Sequence, residues 1–321
     1  MIRFWEDQPD LCRRLQAVRD TITRHAACDD PEVRDAVGQL LGAGGKMLRP
    51  AFVLLASEFG APDAPGIIQV AAAVEMLHMA TLVHDDIIDG APLRRGTATL
   101  HTLRGSRVAV LAGDWLFASC FSLVADLGGW EHRGDLAGLV RRICGSEISQ
   151  SSGRFAVDTS VRRYRRRIAG KTAALFALAF HVGAVQAGCA EAHVSLLRRL
   201  GYCLGMGFQI IDDILDFSTD GGETGKRPGS DLSQGIFTLP VIYALRTDDG
   251  KLAKALARAR RSLRAASRAA RIVTEGEGIG LARAAAAEYT RRARRAIDQL
   301  PPVAARETLR VVTGRLLDRT W

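Results

Sequence analysis

Residues 66–89 read GIIQVAAAVEMLHMATLVHDDIID, and this stretch decides the fold. Ile67, Val70, Val74, Leu77 and Leu82 recur at helical spacing, and apolar residues run almost all the way round, which marks a helix buried on every side. Gly90 and Pro92 stop it. Three carboxylates, Asp85, Asp86 and Asp89, crowd its C-terminal end, with Arg94 and Arg95 just beyond. Negative charge is misplaced at that end of a helix, and buried charge is costly unless paired. The acids call for cations.

Outward from this helix the pattern repeats. A second helix is predicted from Ser106, as N-cap, through RVAVLAGDWLFASCFSLVADL to Gly128-Gly129. A third covers KTAALFALAFHVGAVQ from Lys171, and a fourth covers LGMGFQIIDDILDF, where Gly205 and Gly207 let a neighbouring backbone come close. No sustained period-2 alternation occurs, so the fold class is all-α. The one long irregular polar segment is Ser218 to Gly235, and no linker is rich enough in Gly, Pro or Ser to divide the chain, so residues 1–321 read as a single domain.

Composition narrows the class. With 47% hydrophobic and 25% charged residues in 321, a sizeable core needs no covalent staples. The six cysteines are scattered, without CxxC or a histidine at ligand spacing, and read as small apolar fillers rather than a zinc site or disulfide framework. Acids and a proline occupy the N-terminus where a signal peptide needs an apolar run, so a cytoplasmic protein is expected. The net charge of +9 is largely diffuse arginine in stretches such as KALARARRSLRAASRAAR, which need no partner as solvated faces. Aromatics make up only 6% and are not interleaved with the charge, which argues against nucleic acid.

The acid motif recurs: HDDIID at 84–89 is answered by IDDILD at 211–216. On a helix Asp85 and Asp89 share a face, as do Asp212 and Asp216, with Asp86 and Asp213 beside them. Two such faces turned to one cavity repel unless cations lie between, and hard oxygen ligands open to water suit Mg²⁺ shared with substrate phosphates rather than zinc. Cationic candidates for those phosphates are Lys46 and Arg49 after Gly44-Gly45, Arg94 and Arg95, Lys171, and Lys226.

The ordered set GGKMLRP, EMLHMATLVHDDIIDGAPLRRG, GKTAALF, GFQIIDDILDF, GKRPGSDL and QGIFTLP resembles the trans-isoprenyl diphosphate synthases, the polyprenyl synthetases, from about residue 30 to the C-terminus. The resemblance implies an antiparallel helix bundle around a deep central cavity, the isoprenoid synthase fold, in a homodimer. It implies Asp85, Asp89 and Asp212 as primary metal ligands, with Asp86, Asp213 and Asp216 holding metal-bound water or orienting neighbours. Arg94, Lys171 and Lys226 are implied to hold an allylic diphosphate, and Lys46, Arg49, His78 and Arg95 isopentenyl diphosphate. The Lys171 carbonyl, the Thr172 hydroxyl and the Gln209 amide oxygen are implied to stabilise an allylic cation formed as diphosphate departs, which the isopentenyl double bond attacks.

The chain departs from the family at two places: Ile236 stands where many members carry Lys or Asn, and RRYRRR at 162–167 is unusually basic, which reads as a solvated face or, second, as peripheral attraction to an anionic membrane. Product length depends on the wall upstream of Asp85. One helical turn rises about 5.4 Å, close to one isoprene unit, so Ala80 and Thr81 meet the tail first, then Met76 and Leu77. The small side chains favour a medium or long product; Trp115, Phe117 and Phe121 on the facing helix offer a floor that would give geranylgeranyl or farnesyl diphosphate instead. A terpene cyclase has no use for the isopentenyl clamp, and a non-catalytic subunit has no need of both acid motifs.

Overall fold

The computed structural model describes residues 3–42, 45–94, 96–127, 133–157, 160–217, 229–260 and 262–317. In chain order the helices are α1 (Pro9–His25), α2 (Pro31–Gly42), α3 (Leu48–Ser57), α4 (Ile67–Ile88), α5 (Leu100–Asp126), α6 (Arg133–Ser152), α7 (Val161–Ile168), a π-helical turn (Ala169–Ala173), α8 (Ala174–Gln186) and α9 (Glu191–Leu215). They continue with α10 (Ser230–Ser233), α11 (Leu239–Thr247), α12 (Lys251–Ala259), α13 (Leu263–Glu275), α14 (Gly278–Asp298) and α15 (Ala304–Leu317). The only strands among the described residues are β1 (Leu93–Arg94) and β2 (Thr97–Ala98), an antiparallel pair in which Arg94 lies opposite Thr97. Two residues each are too few to leave a period-2 signal.

These elements form two compact units, one of Met1–Leu136 with Leu178–Arg198 and one of Ala137–Ala177 with Arg199–Trp321. The decisive helix α4 spans almost the range its sequence predicts: Gly66 enters the left-handed region at φ 88° as N-cap, and Asp89 closes the end by donating its backbone N–H to the Asp85 carbonyl. In the first unit α4 packs lengthwise on α5 and against α3 and α1. Val70 to Leu77 are buried save half-buried Glu75, alongside Leu15 and Ile22 of α1, Phe52 and Leu54 of α3, and Leu116 and Cys120 of α5. Phe52 stacks on Phe180 at 4.7 Å between ring centroids. The second unit has its own core, in which Phe217, Leu232 and Phe237 meet Val241, Leu256 and Val273.

Three expected boundaries move. The second helix begins at Leu100, and what the sequence places at Ser106 is the resumption after a break at Gly105, whose φ of 82° and ψ of 157° only glycine adopts freely. Residues 161–186 form one helical run through the π turn rather than a helix opening at Lys171. Within Ser218–Gly235, read as irregular, Ser230–Ser233 is helical, and residues 218–228 lie outside the described residues. Of the cysteines, Cys120 and Cys203 are buried fillers, burial pushing the Cys120 thiol up to about 12, whereas Cys144 is exposed. Three stretches, Ile67–Ile88, Leu100–Asp126 and Val161–Gln186, are long and apolar enough to cross a membrane by length and composition, although at least half of each apolar window is buried in protein.

Candidate active site

In the first unit the end of α4 presents its carboxylates unequally. Asp85 and the capping Asp89 are half-buried on one face, while Asp86 is buried. Hairpin β1–β2 folds back over the helix end and brings the Arg94 guanidinium onto Asp86, Nε at 2.7 and 3.0 Å from its two oxygens and Nη2 at 2.7 Å. Arg94, which the resemblance assigns to an allylic diphosphate, is here engaged with Asp86, which it assigns to metal-bound water. Part of the acid–arginine cluster is therefore internally paired, because the hairpin turns the chain before Arg94 can point away. Arg95 lies outside the described residues.

The same unit builds the second cationic group. Met47, N-cap of α3, is held in the left-handed region at φ 44° and ψ 43°, a strained conformation for a residue with a side chain. The preceding Lys46 is fixed through its carbonyl, which accepts from the buried Trp5 indole at 2.7 Å, and its ammonium lies 5.5 Å over the Phe4 ring. Arg49 Nη1 is 2.8 Å from His78 Nε2. A guanidinium only donates, so Nε2 is the acceptor and the imidazole proton sits on Nδ1. Of Lys46, Arg49 and His78, grouped by the resemblance, the last two are thus in contact.

The chain-length residues show a sharper division. Met76, Leu77 and Ala80 carry no accessible surface, whereas Thr81 is half-buried and donates its hydroxyl to the His78 carbonyl at 2.8 Å. Trp115 and Phe121, offered as a floor, are instead 37% and 41% exposed, Trp115 donating to the Ala26 carbonyl at 3.0 Å. The α5 register turns both rings outward. Phe117 packs on His84, ring centroids 5.5 Å apart.

The second unit is organised around the π turn. A π turn widens the helix and re-aims the groups at its opening, a device frequent at functional sites. Here it is clamped from two sides: a Cβ on Gly170 would lie 1.8 Å from Ser146 Oγ of α6, and one on Gly205 of α9 would lie 2.6 Å from Ala173 Cα. Gly205 thus admits the close backbone approach its sequence suggests, whereas Gly207 meets the side chains of Leu317 and Tyr289. Within the turn, Lys171 Nζ lies 2.7 Å from Glu147 of α6, and the Thr172 hydroxyl donates to Gln209 Oε1 at 2.6 Å. Gln209 Nε2 donates in turn to Asp213 Oδ1 at 2.8 Å, and Tyr164 donates to Asp213 Oδ2 at 2.6 Å.

Every donor in this chain of bonds points toward Asp213. Committing its proton to Gln209 leaves the Thr172 oxygen with lone pairs for a positive charge. Burial pushes the Asp213 carboxyl up to about 6, against the hydrogen bonds from Tyr164 and Gln209 and the nearby Arg167 charge, which pull it down. The Tyr164 phenol is raised well above its usual range by the same burial and by the adjacent Asp213. Asp216 accepts from the Ser230 hydroxyl at 2.6 Å and the Asp231 N–H at 3.2 Å, so it anchors the start of α10. Asp212 is half-buried, and Lys226 lies outside the described residues.

Sequence reasoning missed Tyr164 and Glu147. Tyr164 stands two helical turns before Lys171, on the face of α7 that also carries buried Ile168, and that register was the available signal inside RRYRRR. Glu147 gave none, being one acid on a separate helix.

Does this donor set fit a divalent metal? Among the described residues no three His, Cys, Asp or Glu side chains form a ready-made cage. The accessible carboxylates, Asp85 and Asp89 in the first unit and, separately, Asp212 in the second, are nevertheless hard oxygen donors, few in number in each unit, as suits a cation completed by water and substrate phosphate. The fit is to a metal that arrives with its ligand.

Comparison with known proteins identifies relatives along most of the chain. The polyprenyl synthetase family profile matches residues 30–273. The chain is 40% identical over 298 residues to heptaprenyl diphosphate synthase component 2 of Geobacillus stearothermophilus, covering 92% of each chain. It is similar to the crystal structure of a geranylgeranyl pyrophosphate synthase from Lactobacillus brevis, with a TM-score of 0.93 and 33% identity over 99% of this chain and 100% of that one. A polyprenyl synthase from Caulobacter crescentus, solved with calcium and isoprenyl diphosphate, gives a TM-score of 0.90 and 32% identity over 99% and 96% of the two chains.

Proposed function

The chain belongs to the polyprenyl synthetase family, with the all-α isoprenoid synthase fold and the transferase activity of a polyprenyl diphosphate synthase, and from that premise we propose that it condenses isopentenyl diphosphate with an allylic diphosphate, head to tail and trans, to a medium or long product. The observation that carries the reading is the aligned run from Tyr164 through Asp213 and Gln209 to Thr172, beside Lys171 in the π turn. Such a run presents fixed oxygen dipoles to a positive charge without a nucleophile that would trap it.

Asp85, Asp89 and Asp212 would hold Mg²⁺, which supplies charge neutralisation for a departing diphosphate. Lys171 adds its own cation to that leaving group once it exchanges Glu147 for phosphate oxygens. Thr172 Oγ1 and the Lys171 carbonyl face the allylic carbon with negative dipole ends, so positive charge grows there without a covalent bond to protein. Lys46 and Arg49 hold the second diphosphate; Arg49 donates bidentately while neutral His78 fixes its orientation. The departing diphosphate accepts the proton lost as the new trans double bond forms. Arg94, paired with Asp86, orients the acid end and is available to phosphate only by leaving that carboxylate.

The heptaprenyl relative supports a product longer than farnesyl diphosphate, and the geranylgeranyl relative keeps that length as the alternative. A homodimer is part of the reading: Val110, Leu111, Trp115 and Phe121 leave one face of α5 apolar and 37–45% exposed, a surface suited to a second copy. The test is purified protein with Mg²⁺, isopentenyl diphosphate and, separately, C5, C10, C15 and C20 allylic primers, with product masses read directly. Products longer than C20 from at least one primer support the reading; termination at C20 or below supports the alternative, and absence of elongation with all four overturns the function.

A further inference from the structure

The arginines of α7 are the charged cluster the reaction does not use. VRRYRRRI turns Tyr164 and Ile168 inward and leaves Arg162, Arg163, Arg165 and Arg166 exposed, and no acidic residue stands anywhere on the helix. Solvated faces elsewhere in the chain are built differently. Arg13 pairs with Asp10, Arg291 and Arg292 share Glu288, and Arg310 pairs with Glu307. On α7, Arg162, Arg165 and Arg166 make no ion pair among the described residues. Like charges at i, i+3 and i+4 with nothing between them destabilise a helix, so a bland solvated face is a poor account of this one.

The cluster continues beyond α7 within the same unit. Tyr202 of α9 is 40% exposed, and Arg165 and Arg292 both lie close enough to influence its hydroxyl. Arg199, exposed one turn before Cys203 on α9, acts with Arg292 on that thiol. Arg165 of α7 and Arg292 of α14, the latter paired with Glu288, thus lie near a half-exposed aromatic ring of α9.

We propose that this arginine face docks the protein on an anionic phospholipid surface. Charge complementarity selects the partner: several arginines on one helix, beside a tyrosine able to sit at the headgroup level, match a negatively charged bilayer. The choice of lipid over another polyanion rests on the proposed function, because a polyprenyl tail leaves the enzyme for an apolar phase and a docked enzyme releases it there. Phosphate-backbone binding to single-stranded nucleic acid uses stacked bases, and the face offers one accessible ring for that purpose.

The experiment is co-sedimentation of the full-length protein with vesicles of phosphatidylcholine alone and of equal parts phosphatidylcholine and phosphatidylglycerol. Binding is expected only to the anionic vesicles and is lost at high salt. Arg162→Gln/Arg165→Gln/Arg166→Gln weakens partitioning on the order of 100-fold, at about fivefold per charge, while the matching triple Lys variant keeps most of it. Thermal unfolding of both variants at or above the wild-type temperature shows that the comparison is between folded proteins. Equal binding to both vesicle types, no binding, or wild-type binding by the Gln variant overturns the proposal, as does displacement from vesicles by single-stranded oligonucleotide at equal phosphate concentration. Prenyl elongation measured without vesicles is the separate readout: its failure sinks the proposed function, and failed vesicle binding with elongation intact sinks only the docking.

Discussion

Replacing Tyr164 by Phe removes one oxygen and leaves the ring. In the wild type that oxygen donates to Asp213 at 2.6 Å in a buried setting, and it opposes the burial that has pushed the Asp213 carboxyl up to about 6. A hydrogen bond to a charged group contributes roughly 1.5–3 kcal/mol, and one pKa unit corresponds to about 1.36 kcal/mol, so its loss moves Asp213 up by about one to two further units. The sign for stability follows. A carboxyl whose folded pKa exceeds its unfolded value binds protons more tightly when folded, so its contribution is present at low pH and lost as pH rises from about 4 to about 6. For the wild type this loss is on the order of 3 kcal/mol. In Tyr164→Phe it continues to higher pH, so the variant is less stable by about 1.5–3 kcal/mol near neutrality, and the gap narrows toward pH ~4, where Asp213 is protonated in both proteins. Urea unfolding of the metal-free proteins across that range measures the difference, other titrating groups cancelling between the two. A difference below about 0.5 kcal/mol, or one independent of pH, refutes the reasoning.

Other expectations follow from single contacts. Gly205→Ala places a methyl 2.6 Å from Ala173 Cα, and the overpacking costs about 1–3 kcal/mol in urea unfolding, with activity falling because the π turn shifts. Ala80→Phe adds a ring at a position with no accessible surface; product masses are expected to shorten if the tail follows α4, and an unchanged distribution contradicts that path. Arg49→Lys keeps the charge but loses the planar fork that meets His78 at 2.8 Å, so the KM for isopentenyl diphosphate rises about 10- to 100-fold with the allylic KM nearly constant.

The sequence made the all-α class legible because a helix apolar on every side has few alternatives, and α4 ends where its glycine and acids say it does. The pairing of Arg49 with His78 was within reach because each carried a motif signal of its own. What stayed hidden depends on how the chain turns back. Two hairpin residues send Arg94 onto Asp86, and no periodicity announces a two-residue strand. The π turn has no composition of its own, since AGKTA continues the helical pattern on either side. Tyr164 was masked by its neighbours: five arginines set the tone of the segment, while the one residue that faces inward joins Asp213. A small side chain such as Ala80 suggests space but equally permits tight packing, and in this structure it carries no accessible surface.

The central claim is that this chain elongates a prenyl chain through its aspartate-rich helix ends. Incorporation of radiolabelled isopentenyl diphosphate into solvent-extractable product, with an allylic primer and Mg²⁺, compares wild type with Asp85→Ala most directly. The account predicts robust incorporation by the wild type, abolished by chelator, and a fall of at least about 100-fold in the variant with its thermal unfolding unchanged. Incorporation by Asp85→Ala at the wild-type rate contradicts it.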